Sequence, residues 1–322
     1  MKRFFSYIAL AATPFIFGSW GFFAHKLINH SAVFSLPVEL AAFYKAHIEY
    51  ISEQAVAPDR RCYVDTLESP RHYIDLEDLG DLEEITPDEE PLHWSSAVAM
   101  FTERKLRAAG IIPWQIEITY GRLREAMYAK DLARILRHAA DLGHYVSDAH
   151  VPLHTTRNYN GQFTNQRGIH AFWETRLPER FAKDYDLWVG RAMYIPSALE
   201  EAWIIVRESH ALVDSVLLLE KALSNQYSPD QKYAYVLRNN ILHRTYSETY
   251  ARAYHDTMNG MVERRMRASI RRTASFWYSA WVDAGQPDLS DLANPKLVPA
   301  DTSTLPAGTQ PQQKILGREE WH

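Results

Sequence analysis

The chain has a single cysteine, Cys62, in 322 residues. No internal disulfide can form, and a metal site built from several thiolates is excluded. An excess of positive charge is also missing: 35 Lys and Arg face 40 Asp and Glu, a net charge of −5. Tight scanning of duplex DNA, which needs a basic footprint, is therefore not expected, although a local site can differ from the overall balance. No stretch shows sustained period-two alternation bounded by hairpin turns, which argues against a β architecture. No repeat of fixed period is present. The strongest N-terminal apolar run, Phe4 to Phe17, is interrupted at Ser6, Thr13 and Pro14 and is too short for a comfortable membrane span.

What is present is an ordinary globular composition, 46% apolar and 23% charged, which excludes wholesale disorder and coiled-coil rods. Lys2-Arg3, the apolar run and then Gly18-Ser19 describe a secretory signal peptide over residues 1–19. Its removal would leave a chain starting at Trp20, with a balance of −7, destined for the periplasm, the cell surface or the exterior. Residues 20–285 are expected to form one multi-helix, all-α domain. Helices are expected over 97–109 (capped by Ser95 or Ser96), 114–129 (Pro113 at the first position), 132–149 (opened by Asp131), 197–223, 229–241 and 244–283. The stretch from 53 to 93 reads as irregular, with Pro58, Pro70, Pro87 and Pro91. Its acidic run, Asp75 to Glu90, holds nine carboxylates and no Lys or Arg, and reads as a solvated loop. Residues 286–322, rich in Pro, Ser, Thr and Gln, are expected to be a disordered tail.

Histidine carries the chemistry; there are fourteen. His144 and Asp148 lie four apart on an expected helix, hence on one face one turn apart. His154 follows just past Pro152, where that helix must end, and His170 and Glu174 repeat the four-residue spacing on a second helix. This nitrogen and oxygen donor set suits zinc, and two such helix faces can hold two ions. Asp59 and His72, in the irregular segment, are further candidates, as are His25 and the α-amine of Trp20, which a metal can deprotonate. His30, His47, His93, His138 and His150 fall outside this pattern and read as non-ligands.

Taken together, Trp20-Gly-Phe-Phe-Ala-His25, Asp59, His72-Tyr-Ile-Asp, His144-x₃-Asp148-x₅-His154 and His170-x₃-Glu174 resemble the zinc-dependent phospholipase C and S1/P1 nuclease superfamily. Gly110-Ile-Ile-Pro-Trp114 is similar to the turn before that family's central helix. The resemblance implies an all-α domain with three zinc ions in a cleft. Asp59, His72, His144 and Asp148 would hold one, and His154, His170 and Glu174 the second. The Trp20 amine and carbonyl with His25 and Asp148 would hold the third, Asp148 bridging. It further implies phosphodiester hydrolysis by a metal-bridging hydroxide, with Asp59 orienting water or accepting its proton. Arg60 and Arg61 would contact phosphate oxygens, and Tyr73 and Asp75 could hold a base.

Glu174 as the last ligand and the short His154–His170 loop are similar to the phospholipases, whereas the Trp20-to-His25 start is similar to the nucleases. The expected substrate is thus a phosphodiester of lipid type, ahead of single-stranded nucleic acid or a 3′-nucleotide. A non-catalytic, zinc-binding exported protein ranks lower. No obligate protein partner is evident.

Overall fold

The computed structural model describes residues 21–80, 92–238 and 241–297. The expected signal peptide, Trp20, most of the acidic run and most of the tail lie outside the described residues. Helix dominates. In chain order the helices are α1 (Phe22–Ala32), α2 (Val38–Ala46), α3 (Ile48–Glu53), α4 (Ala57–Arg61), α5 (Leu76–Leu79), α6 (Trp94–Phe101), α7 (Glu103–Ala109), α8 (Ile112–Tyr128) and α9 (Leu132–Ala149). They continue with α10 (Ile169–Ala171), a π-helical turn at Phe172–Arg176, α11 (Leu177–Phe181), α12 (Ala198–His210), α13 (Val213–Ser224), α14 (Pro229–Lys232), α15 (Glu248–Thr257) and α16 (Met261–Asp283). One antiparallel hairpin, β1 (Tyr233–Arg238) and β2 (Ile241–Tyr246), interrupts them. Among the described residues no helix is long and apolar enough to cross a membrane.

The two central helices follow their local signals. Pro113 sits in the first turn of α8, where the missing N–H costs nothing. The Asp131 carboxylate accepts the Arg134 N–H at 3.2 Å and caps α9. Residues Ala139 to Ala149 of α9 are buried without a break, because α8, α1 and α16 pack around it. Aromatic side chains fill the space between these elements. Trp277 stacks on Tyr44 at 4.8 Å and donates to the Ala139 carbonyl, while Trp114 meets Trp203 edge-on. Buried Arg265 of α16 donates to the His150 carbonyl just past α9, placing a cation at that helix's C-terminal end.

Several expected boundaries are corrected. The 97–109 helix is split by Thr102, whose φ of +67° breaks the helical path, into α6 starting at Trp94 and α7. The 197–223 helix bends into α12 and α13 around Ala211-Leu212. The 244–283 helix is divided into α15 and α16 at Asn259-Gly260, both with positive φ. The expected 229–241 helix holds for one turn only. Residues 233 onward form the hairpin, whose aromatic and β-branched content outweighs helical spacing.

Candidate metal centre

Six parts of the chain deliver the side chains, and contacts remote in sequence hold the first two of them. α9 presents His144 and Asp148 from adjacent turns. Gly143 lets α1 approach closely: a Cβ there would lie 2.0 Å from Asn29 Oδ1, and Asn29 in turn donates to the Ala140 and Ile51 carbonyls. The Pro70–Asp75 segment has little regular structure of its own. It is clamped by backbone bonds from Ile111 to Pro70, Ile112 to Tyr73, and Ile74 to His154. Gly110 makes this clamp possible, since at its φ of +95° a Cβ would sit 2.1 Å from the Tyr73 carbonyl oxygen. Asp59 rides on α4, and the short helical turn Pro152–Thr155 carries His154. His170 on α10 and Glu174 in the π turn complete the set, and His25 comes from α1.

The donor atoms converge into three groups. In the first, His72 Nδ1, His144 Nε2 and Asp148 Oδ2 are 2.9–3.0 Å apart, with Asp59 Oδ1 at 3.5 Å from His144 and 3.8 Å from His72. In the second, His154 Nε2, His170 Nε2 and Glu174 Oε2 are separated by 3.0, 3.2 and 2.7 Å. In the third, His25 joins His144 and Asp148, its Nε2 lying 3.4 Å from Asp148 Oδ1; Glu174 Oε1, from the second group, stands 3.5 Å from the same nitrogen. A tetrahedral ion with bonds near 2.0–2.1 Å has ligand-to-ligand edges of about 3.3 Å. The observed separations bracket that edge, so the donor set fits a tetrahedral cation in size.

The ring tautomers agree with this fit. His144 Nδ1 donates to the Ala55 carbonyl and His154 Nδ1 to the His72 carbonyl, both at short range, which turns each Nε2 lone pair toward the cluster. His72 is reversed. Its Nδ1 faces Asp148 while its Nε2 faces Glu68 at 3.7 Å and Cys62 Sγ at 3.5 Å. Sequence reasoning missed Glu68. It is fully buried, accepts from Arg61 and from the Tyr145 hydroxyl, and pairs with Arg71. No motif marks it, because it lies in an aperiodic segment.

Electrostatically the cluster is tightly coupled. Burial alone would push the His25 imidazole down, but its contact with Glu174 and the charges of Asp148 and Asp59 outweigh this and raise its pKa. His72 is likewise buried, and nearby Cys62, Asp148 and Glu68 raise it well above the usual value. Burial would push the Asp148 and Glu174 carboxyls up. The imidazoles of His144 and His154 reverse this and hold both well below the usual carboxylate range. In a buried site these carboxylates and imidazoles stabilise one another through protons, and a cation can replace those protons.

Each carboxylate divides its two oxygens. Asp148 turns Oδ2 to the first group and Oδ1 to His25. Glu174 does the same, with Oε2 on His154 and His170 and Oε1 toward His25. The second shared carboxylate was not expected from sequence.

The residues expected to bind substrate fare differently. Tyr73 is 1% exposed, packed beneath Gly110, so it offers no open stacking surface. Asp75 is buried at the start of α5. Arg61 is committed to Glu68, Asp141 and Tyr145. All three expectations are corrected by the surroundings of each side chain: Tyr73 and Asp75 are buried and Arg61 is engaged by two acids and a tyrosine, although Tyr63, Val64 and Leu67 of the 61–75 segment are exposed. Arg60 is different, since its guanidinium lies over the Phe22 ring at 5.7 Å, beside Asp59. The histidines read as non-ligands stand apart from the three groups. His30 and His93 are exposed, His47 bonds the Leu292 carbonyl, and His150 bonds the Val146 carbonyl. Burial lowers His138 to about 4.

Neither a family model nor a curated protein matches this chain.

Proposed function

We propose that the protein is an exported, zinc-dependent phosphodiester hydrolase of the trinuclear phospholipase C and S1/P1 nuclease kind, with a lipid-type head-group diester as the preferred substrate. One observation carries the reading: three groups of potential metal donors lie together, with Asp148 reaching both His72 and His25, and Glu174 reaching both His170 and His25. Asp59, His72, His144 and Asp148 would hold one ion, and His154, His170 and Glu174 a second. His25 with Asp148, joined by Glu174, would hold a third. Zinc in such a site lowers the pKa of water toward neutrality and takes up charge at a phosphoryl oxygen. The chain's own residues do the rest. Asp59, the most open carboxylate of the first group at 16% side-chain exposure, orients the attacking water and accepts its proton. Arg60, beside it, meets a non-bridging phosphate oxygen. Ala55, Glu68 and the His72 carbonyl hold the ligand rings in register, so little reorganisation accompanies the reaction.

The burial of Tyr73 and Asp75 removes the two base-binding groups of the nuclease reading, which supports a lipid-type substrate. The nuclease reading keeps one observation of its own: Tyr159 stands edge-on to His170 at 6.1 Å, and with Phe22 supplies aromatic faces beside the cluster. The test is metal analysis together with assays on phosphatidylcholine, single-stranded DNA, RNA and 3′-AMP. About three zinc ions per chain and chelator-sensitive cleavage of the lipid are expected. One ion or none after zinc-buffered purification would refute the trinuclear site. Cleavage of nucleic acid without lipid would move the assignment to the nuclease.

A further inference from the structure

The β1–β2 hairpin is rooted in the protein but does not end in it. At its base Tyr246 is buried and stacks on Phe172 at 3.8 Å, and Arg176 donates to the Tyr246 carbonyl. Lys232, just before β1, pairs with buried Glu220, which also accepts the Tyr250 hydroxyl. Phe172 and Arg176 bound the π turn that carries Glu174, so the hairpin is keyed to a turn that supplies one candidate ligand and directly follows the helix of another, His170.

The pairing register places Tyr233, Tyr235 and Leu237 opposite Tyr246, Arg244 and Leu242. With a side-chain period of two, these six share one face. The face is buried at Tyr246 and becomes exposed farther along the strands. Tyr235 is 64% exposed, Leu237 69% and Leu242 62%. An isolated two-stranded ribbon is marginal in water, and the exposed leucines and tyrosine on one of its faces mark a surface that meets something apolar.

Charge says what that something is. Between Asp230 and Glu248 the sequence holds Lys232, Arg238 and Arg244 and no acid, in a chain whose net charge is −5. Arg244 is exposed and lies over the Tyr233 ring at 4.4 Å. Pairing with a second copy through these strands would bring like charges together, which is unfavourable. Exposed leucines, an amphipathic tyrosine and a flanking arginine on one face together match an anionic lipid surface.

We propose that the 233–246 hairpin is a docking element for anionic bilayers, seating Leu237 and Leu242 among the acyl chains with Tyr235 and Arg244 at head-group level. The assignment does not depend on the reaction the metal centre performs.

Flotation of the zinc-loaded chain with vesicles tests it, comparing pure phosphatidylcholine with a mixture containing about 30% phosphatidylglycerol. Binding to the anionic vesicles at least roughly tenfold tighter, and weakened at about 0.5 M salt, is expected. The double variant Leu237→Ser/Leu242→Ser should lose at least about tenfold, since each exposed leucine contributes its transfer into hydrocarbon. Arg238→Glu/Arg244→Glu should lose the preference for anionic lipid. Zinc content should stay unchanged in both, because residues 237, 238, 242 and 244 belong to the hairpin and not to the donor set. Wild-type protein that does not float, or variants that float as wild type does, would overturn the proposal. So would a lipid-free dimer abolished by Leu237→Ser/Leu242→Ser, which assigns the face to a second copy. Retention of a single-stranded oligonucleotide without vesicle binding would assign it to nucleic acid and overturn it equally.

Discussion

Glu68→Gln separates a residue that merely packs from one that sets metal affinity. Glu68 is 0% exposed and faces His72 Nε2, the ring nitrogen turned away from the candidate metal. Burial alone would raise its carboxyl, but His72, Arg61 and Tyr145 hold it well below the usual range, so it is charged at neutral pH. A charged acceptor behind a ligand imidazole raises the basicity of the ligating nitrogen and fixes its tautomer. Loss of such a partner costs ~10–100-fold in metal affinity, or roughly 1.4–2.8 kcal/mol. Gln keeps the volume and removes the charge. A separate folding cost follows from the ion pairs with Arg61 and Arg71. Breaking a fully buried pair costs about 3–5 kcal/mol, but these two guanidinium side chains are 22% and 28% exposed and water takes up part of their charge. The expected loss of stability is therefore about 2–3 kcal/mol.

The two effects are read by different assays. Competition against a chromophoric chelator measures each zinc site, and urea unfolding of the metal-free protein measures stability. The His72 site should weaken by the stated factor while the His154–His170–Glu174 site keeps its affinity. Tyr145→Phe is the control. It removes one hydrogen bond to Glu68 and leaves the charge, so about 1 kcal/mol of stability and little zinc affinity should go. Unchanged zinc binding in Glu68→Gln, or equal weakening of every site, would refute the reasoning.

Three further outcomes are expected. Asp148→Asn should release more than one zinc, since its two oxygens face two donor groups, whereas His25→Ala should release one; equal losses in a metal analysis would contradict a shared carboxylate. The metal-free protein should be most stable at mildly acidic pH. The raised His25 and His72 stabilise it below their ordinary value of 6.5 and cease to do so as pH climbs through the raised values. The depressed Asp148 and Glu174 stabilise it above 3.8 and 4.5 and fail as pH falls. Urea midpoints of metal-free protein that rise between about pH 6 and 8 would contradict this. Gly143→Ala should destabilise the fold by about 3 kcal/mol or more, through overlap with Asn29 and loss of its two hydrogen bonds. An unfolding midpoint within error of wild type would show that α1 and α9 can separate there without cost.

The parts of the fold legible in the sequence are those set by local chemistry. Pro113 and Asp131 mark the starts of α8 and α9 through groups within four residues of them. The four-residue spacings His144–Asp148 and His170–Glu174 place both members on one side of the cluster, although the second pair spans a π turn and not a regular helix. What escaped the sequence depends on distant segments. Tyr73 is buried because Gly110 and Ile112 close over it, and nothing near residue 73 signals that. Arg61 looked like a phosphate ligand beside Asp59, but the acids that claim it lie at 68 and 141. The hairpin was hidden because Tyr, Ala, Val and Leu between 233 and 242 fit a helical stripe as well as a strand. Thr102 breaks its helix with a backbone angle that no proline or glycine announces.

The spread of the donor residues along the chain has a mechanical consequence. His25, Asp59, His72, Asp148 and Glu174 belong to stretches that are far apart in sequence, and the chain has no disulfide to tie them. An ion held there is a cross-link. Each one closes a long loop and strips entropy from the unfolded ensemble, as a disulfide would, with the difference that this link dissolves when the ion leaves. The grip extends from residue 25 to residue 174; α16 lies outside that interval and is held by packing against α1, α8 and α9, by hydrogen bonds such as that from Trp277 to the Ala139 carbonyl, and by ion pairs from Arg265 and Arg272 to Glu208 of α12. Chelation should therefore loosen the N-terminal half into a protease-sensitive state, and α16 should lose protection along with it because the helices it leans on are the ones released.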